Sequence, residues 1–181
     1  RITDITDYKW KDATWIRNRE KYDYKTQPMA IYEVHPGSWM KHGWTEENEE
    51  GFYNYRELAP ALTDYVKKMG YTHVELMGIS EHPFDGSWGY QNTGFFAPTA
   101  RYGTPDELKK FVDECHQAGI GVIMDFVPVH FAVDYYGLKE FDGTCLYEYP
   151  NAAVGESEWG SCNFMHSRGE VRSFLQSAAN Y

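Results

Sequence analysis

The sequence predicts an α/β fold built from repeated strand–helix units, and three observations carry that prediction. Short apolar runs alternate with amphipathic helices in the order β-α-β-α-β, followed by a long irregular stretch and a third helix. The first two helices open on capping boxes and close on glycines. The run Gly119-Ile120-Gly121-Val122-Ile123-Met124-Asp125-Phe126-Val127 is uncharged until Asp125, the pattern of a parallel strand covered on both faces. Repeated βα units imply parallel strands with right-handed crossovers, an arrangement shared by open sheets and closed barrels.

Residues 1–29 are polar, charged and aromatic without clear periodicity, and read as a lead-in or inter-domain linker. Ala30–His35 reads as a strand stopped by Pro36-Gly37. Asn54 and Glu57 then form a capping-box pattern, with Leu58, Leu62, Tyr65, Val66 and Met69 at helical spacing and Gly70 as the C-terminal cap. Tyr71–Met77 is the second strand. Thr104, Pro105 and Glu107 open the second helix. Its expected buried stripe is Leu108, Phe111, Val112 and Cys115, and Gly119 ends it. The third strand should end at Pro128, which has no amide hydrogen for a central ladder. A carboxylate is costly to bury alone, so Asp125 is expected where this strand leaves the core. Residues 131–165 form an irregular stretch of a length that marks a functional loop or a small subdomain. Ser167 and Glu170 cap a third helix whose apolar face is Val171, Phe174, Leu175 and Ala178.

The chain has 181 residues, a net charge of −10 and no basic run, which argues against nucleic acid and anionic membranes as partners. No stretch approaches the roughly 18 apolar residues of a membrane helix, and Arg1 opens no signal-peptide pattern. Cys115, Cys145 and Cys162 are widely spaced, which suggests free thiols in a reducing compartment and argues against zinc. Phosphate-loop, dinucleotide, nucleophile-elbow and zinc-protease motifs are absent from the sequence, and no cofactor or metal is expected.

The 15 Tyr, 10 Phe and 6 Trp are the unusual part of the composition. Many lie beside hydrogen-bonding residues, as in Phe84-Asp-Gly-Ser-Trp-Gly-Tyr90-Gln91-Asn92. Flat rings beside polar groups suit a sugar, with its alternating C–H faces and hydroxyls; they equally suit a loop that packs its own aromatics. Asp125 and His130 stand five apart across a strand end, as a dyad or a structural hydrogen bond, and lack a third ligand for a metal. Loops after parallel strands converge, which makes the Tyr90–Gln91 loop and the Asp125–His130 segment candidates for one site.

At these residues the chain resembles the bacterial glycogen branching enzymes of the α-amylase superfamily, nearly continuously from Ile31 to about Leu175. The resemblance is carried by Tyr32-Glu-Val-His-Pro-Gly-Ser-Trp39, Glu81-His-Pro-Phe-Asp-Gly-Ser-Trp-Gly-Tyr-Gln91, Thr93-Gly-Phe-Phe-Ala-Pro-Thr-Ala-Arg-Tyr-Gly-Thr-Pro105, Asp125-Phe-Val-Pro-Val-His-Phe131 and Phe141-Asp-Gly-Thr-Cys-Leu-Tyr147. Asp-x-x-x-x-His alone would fit any α-amylase relative, whereas the long loop signatures point to branching enzymes.

The resemblance implies a partial (β/α)8 TIM barrel over residues 30–181, about three βα units with a long loop after the third strand. Residues 1–29 would descend from an N-terminal β-sandwich. The implied reaction is retaining transglycosylation, in which an α-1,4-glucan is cut and the segment passed to a 6-hydroxyl. Tyr90 matches the ring platform under the sugar, with Gln91 beside it, and His130 matches the histidine that hydrogen-bonds that sugar. Asp125 matches an aspartate that supports the catalytic cluster and is not the nucleophile. The nucleophile and the acid/base residue would lie beyond Tyr181. No catalytic residue is therefore expected in this chain, which alone should be inactive. The partner implied is α-glucan (glycogen or amylose-like chains), the compartment cytoplasmic, and the open edges of strands one and three invite self-association. Gly78 stands where relatives usually have proline, and Phe126 and Val129 replace a common Trp and a common small residue. A superfamily hydrolase and a non-catalytic glucan-binding module are the alternative readings.

Overall fold

The computed structural model describes residues 4–181. Its helices are α1 (Ala13–Arg19), α2 (Pro36–Trp39), α3 (Tyr55–Met69), α4 (Pro105–Gln117), α5 (Ala152–Gly155) and α6 (Gly169–Asn180). Its strands are β1 (Ile31–Val34), β2 (His73–Leu76), β3 (Ser80–Glu81), β4 (Gly94–Pro98), β5 (Gly121–Met124), β6 (His130–Phe131) and β7 (Cys162–Asn163). Two compact units result. The first takes the described part of Arg1–Met77 with Ala100–Asp125, and the second takes Gly78–Thr99 with Phe126–Tyr181.

The first unit carries the expected β-α-β-α-β order. Its sheet is parallel, in the order β1-β2-β5, with Ile31 opposite His73 and His73 opposite Gly121. Both long helices start as their sequences dictate. Asn54 Oδ1 accepts the Arg56 and Glu57 amides at 3.0 Å, and Glu57 Oε2 accepts the Asn54 amide in return. Thr104 and Glu107 make the same reciprocal pair on α4. Gly70 and Gly119 follow the helices at φ +84° and +80°, a left-handed region open to glycine without a Cβ clash. An ion pair of 2.6 Å between Arg56 and Glu107 ties the start of α3 to that of α4.

The buried faces differ in part from the expected ones. On α3, Leu58, Leu62 and Val66 are fully buried, joined by Tyr55 and Ala59, while Tyr65 and Met69 are exposed. Tyr65 packs instead at the rim, its ring 5.3 Å from Tyr32 and 5.8 Å from Trp39. On α4, Phe111 and Cys115 are buried but Leu108 and Val112 only half so. Asp113 is buried beside them because the preceding segment satisfies it: the Tyr8 hydroxyl and the Lys11 amide donate to its two oxygens at 3.1 and 3.0 Å. Burial, with that hydrogen bond next, pushes the Tyr8 hydroxyl up to about 12.

The same segment forms α1, which the periodicity of residues 1–29 does not announce. Seven residues cannot hold a helix in water by themselves. Contacts with α4 hold it: Asp12 pairs with His116 at 2.7 Å, and Trp15 stacks on the His116 ring at 4.8 Å.

The third strand requires a correction. It stops at Met124, well before Pro128; Val122 and Ile123 are half-buried and Met124 is exposed. Among the described residues β5 pairs with β2 alone, which makes it an edge strand of the sheet.

The second unit has little regular structure and a core of its own. Phe95, Phe131, Cys162, Phe164, Val171, Leu175 and Ala178 are its buried cluster. Phe164 is the hub, with ring centroids 4.8 Å from Phe131 and 5.3 Å from Phe95. Two short antiparallel pairs, β3–β4 and β6–β7, frame it. α6 buries Val171, Leu175 and Ala178 as expected, with Phe174 half-buried, but its start differs. The N-cap is Arg168, without a side-chain cap bond, rather than Ser167. The Arg168 guanidinium is committed to the Cys145 and Leu146 carbonyls, and the Ser167 carbonyl accepts from Arg172. Glu170 falls in the first turn, where its charge complements the helix dipole.

Candidate functional site

Asp125 lies in the first unit, one residue past β5. Its amide donates to the Leu76 carbonyl at 3.1 Å, so the ladder continues to it and the side chain stands at the carboxyl end of the strand. Tyr90, Gln91 and His130 all lie in the second unit. That unit joins Gln91 and His130 through the turn Ser157–Ser161, which sequence reading did not single out. The Gln91 side-chain amide donates to the Trp159 carbonyl at 3.2 Å. The Trp159 and Ser161 amides each donate to Ser157 Oγ at 3.2 Å. Ser157 Oγ lies 2.6 Å from Ser161 Oγ, which lies 2.7 Å from His130 Nδ1. A backbone bond of 3.0 Å from the Ala132 amide to the Asn92 carbonyl fastens the two segments from the other side.

The partner of His130 Nδ1 is therefore Ser161. The pairing of β6 with β7 puts it there: His130 faces Asn163 and Phe131 faces Cys162, which brings Ser161 in just beyond the paired residues. This contact spans 31 residues and leaves no local mark, since Gly155-Glu156-Ser157-Glu158-Trp159-Gly160-Ser161 reads only as a loop.

Tyr90 is positioned by backbone geometry. Asp85–Ser87 make one 3-10 turn, Trp88 and Gly89 follow at φ +55° and +81°, and the Tyr90 amide closes onto the Ser87 carbonyl at 3.0 Å. Beneath this turn Gly78, at φ +55°, lies so close that a Cβ there would meet the Trp88 carbonyl oxygen at 1.7 Å. A proline, fixed near φ −65°, could not take this conformation. Gly78 thus permits the close approach of the Trp88–Gly89 backbone beside the Tyr90 turn. Tyr90 is half-buried, and Trp88 and Trp159 are exposed.

Burial lowers the pKa of His130 below its ordinary 6.5, which keeps the ring neutral at pH 7. A neutral imidazole, an amide anchored at one end and a half-buried phenol ring can bind an uncharged polyhydroxylated ligand through hydrogen bonds and a C–H face. Among the described residues no group of three His, Cys, Asp or Glu side chains is placed to hold a metal ion. No helix among them is long and apolar enough to cross a membrane. The three cysteines are free thiols; burial pushes Cys115 up to about 12, which leaves it inert at neutral pH.

A cleft of about 320 Å³ opens in the first unit, lined by Trp15, Tyr22, Tyr24, Thr72 and His73 among others. It lies at His73, the first residue of β2, whereas α/β proteins place their chemistry at the carboxyl ends of parallel strands. We therefore do not assign the site to it.

Known proteins agree with this architecture. The family model for the α-amylase catalytic domain matches residues 60–142. A crystal structure of the α-amylase of Geobacillus thermoleovorans superposes with a TM-score of 0.65 at 23% identity, over 83% of this chain and 36% of that one. Over residues 60–142 the chain is thus similar to the catalytic domain of the α-amylases. The chain is also 50% identical over its whole length to the 1,4-alpha-glucan branching enzyme GlgB of Butyrivibrio fibrisolvens, covering 28% of that protein. It is 52% identical to the enzyme of the same name from Nitrosococcus oceani, over 97% of this chain and 23% of the relative. The chain thus spans about a quarter of the length of the curated relatives it matches.

Proposed function

We propose that this chain provides the first three βα units of the (β/α)8 catalytic barrel of a glucan branching enzyme. Such an enzyme cuts an α-1,4-glucan and passes the cut segment to a sugar 6-hydroxyl, making an α-1,6 branch. Identity of about half, sustained over the whole chain with relatives that carry this name, is the observation behind the reading. Residues 30–181 belong to the barrel in this account, and 1–29 are the lead-in from a β-sandwich.

The reaction assigned is a double displacement with retention. A carboxylate nucleophile attacks the anomeric carbon, forming a covalent glycosyl ester, while a carboxylic acid protonates the leaving glycosidic oxygen; the same group, now a base, then takes the proton of the incoming 6-hydroxyl as its oxygen bonds to the anomeric carbon and the carboxylate is released. Both carboxyl groups are assigned to later strands. This chain's residues bind and orient. Tyr90 offers its ring to the C–H face of the sugar at the cleavage point, and Gln91 and neutral His130 hydrogen-bond its hydroxyls. Asp125 supports the catalytic cluster without attacking. Holding the sugar at the cleavage point in this way is an orientation effect, and such effects are worth several kcal/mol in barrier.

The test is a chimera in which this chain replaces the matching segment of the Butyrivibrio fibrisolvens enzyme. The chimera should form α-1,6 branches from amylose, read by debranching, while the chain alone should show no turnover. A folded chimera that releases oligosaccharides without forming branches would favour the hydrolase alternative and contradict the proposal.

A further inference from the structure

The hydrogen bonds around His130 determine which of its nitrogens carries the proton. A serine hydroxyl has two acceptor lone pairs and one proton to donate. Both lone pairs of Ser157 Oγ are occupied, by the Trp159 and Ser161 amides at 3.2 Å each. The 2.6 Å contact between the two serines must then be a donation from Ser157 to Ser161. Ser161 Oγ, accepting that proton, turns its own toward His130 Nδ1 at 2.7 Å. An Nδ1 that accepts a hydrogen bond is bare, so in the neutral ring the proton resides on Nε2.

We propose that Ser161, backed by Ser157, is a positioning residue that holds His130 as its Nε2–H tautomer, so that the ring presents a hydrogen-bond donor to a sugar hydroxyl. The sugar contact rests on the function proposed above; the tautomer does not. Ser161 is buried, at 1% exposure, so water does not compete for its hydroxyl. The reverse arrangement, with the proton on Nδ1, would require Ser161 to accept from the ring as well as from Ser157. Its own proton would then be left buried without an acceptor, an arrangement folded proteins avoid. Burial lowers the His130 pKa and so disfavours the doubly protonated ring, while the choice between the two neutral tautomers rests on the hydrogen bonds. The positions of Ser157 and Ser161 thus bear on the site even though neither touches the substrate in this account. The turn that carries them also holds Gln91 through the Trp159 carbonyl, so a single five-residue loop orients two of the sugar-binding groups.

The test is two-bond ¹H–¹⁵N correlation spectroscopy of the ¹⁵N-histidine-labelled chain, with His130→Gln identifying the His130 signals. The expected result is a bare, pyridine-like Nδ1 and a protonated, pyrrole-like Nε2. Ser161→Ala should give a mixture of tautomers. So should Ser157→Ala, which keeps the Ser161 hydroxyl but frees its direction, and which decides the matter if Ser161→Ala does not fold. A protonated Nδ1 in the unmodified chain, or an unchanged single tautomer in a folded variant, would overturn the assignment. Adding maltoheptaose should shift the Nε2 signal. An Nε2 signal that stays put at saturating glucan overturns the sugar contact and leaves the tautomer standing, which separates the two failures.

Discussion

The two units reach their structures by different means. In the first, each long helix announces itself: Asn54 and Glu57, then Thr104 and Glu107, form the capping boxes their sequences spell, and a parallel sheet assembles from short apolar strands. In the second, two-residue strands, left-handed turns and a knot of phenylalanines do the same work with few regular elements. Three of the four candidate binding residues, Tyr90, Gln91 and His130, sit in the second. A regular scaffold tolerates substitution along its stripes, whereas the irregular unit depends on a few non-local contacts to hold ligand-facing groups.

Removing the hub of the second core should give the largest effect. Phe164 is fully buried and contacts Phe95, Phe131 and Phe174, so Phe164→Ala should cost about 3–5 kcal/mol. Hydrogen exchange should show amide protection falling in Gly78–Thr99 and Phe126–Tyr181 while α3 and the parallel sheet keep theirs. Uniform loss across both units would mean that they are not separate cooperative bodies.

A smaller effect is expected from a local signal in the first unit. Asn54→Ala removes an acceptor for two amides at the start of α3 and should cost about 1 kcal/mol by urea denaturation. A change as large as that of Phe164→Ala would break the contrast between distributed and concentrated support.

The mildest expected effect is that of pH. Burial depresses the pKa of His73 in the first unit and of His130 in the second. Each ring takes a proton more readily unfolded than folded, so stability is complete above about pH 6.5 and declines as pH falls from there toward the lower folded values. The urea midpoint should drop between about pH 7.5 and about pH 5.5, and His130→Gln should remove part of that drop. A midpoint that rises on acidification would contradict the sign.

The first unit was largely legible because its signals are local. Caps, stripes and glycine stops lie within one element, and the Asp125 position follows from the strand that leads to it. What was not legible came from distant partners. α1 depends on Asp113 and His116, some 100 residues away, and no periodicity within residues 1–29 foretells it. The open side of β5 is a matter of neighbours rather than of its own residues. At the candidate site the residue types of Tyr90, Gln91 and His130 were readable. Ser157 and Ser161 were not, because an unremarkable serine becomes a positioning group only through the β6–β7 pairing. Gly78 lies between these cases: its departure from proline was visible, while its left-handed backbone against Trp88 required coordinates.

The central claim is that glucan is read by the irregular unit, at Tyr90, Gln91 and His130, and not by the aromatic cleft of the regular one. Backbone amide spectra of the ¹⁵N-labelled chain, titrated with maltoheptaose, test this most directly. The account predicts shifts centred on Tyr90, Gln91, His130 and Ser157–Ser161 that vanish in Tyr90→Ala. Shifts centred on Trp15, Tyr22 and Tyr24, or none at saturating glucan, would contradict it.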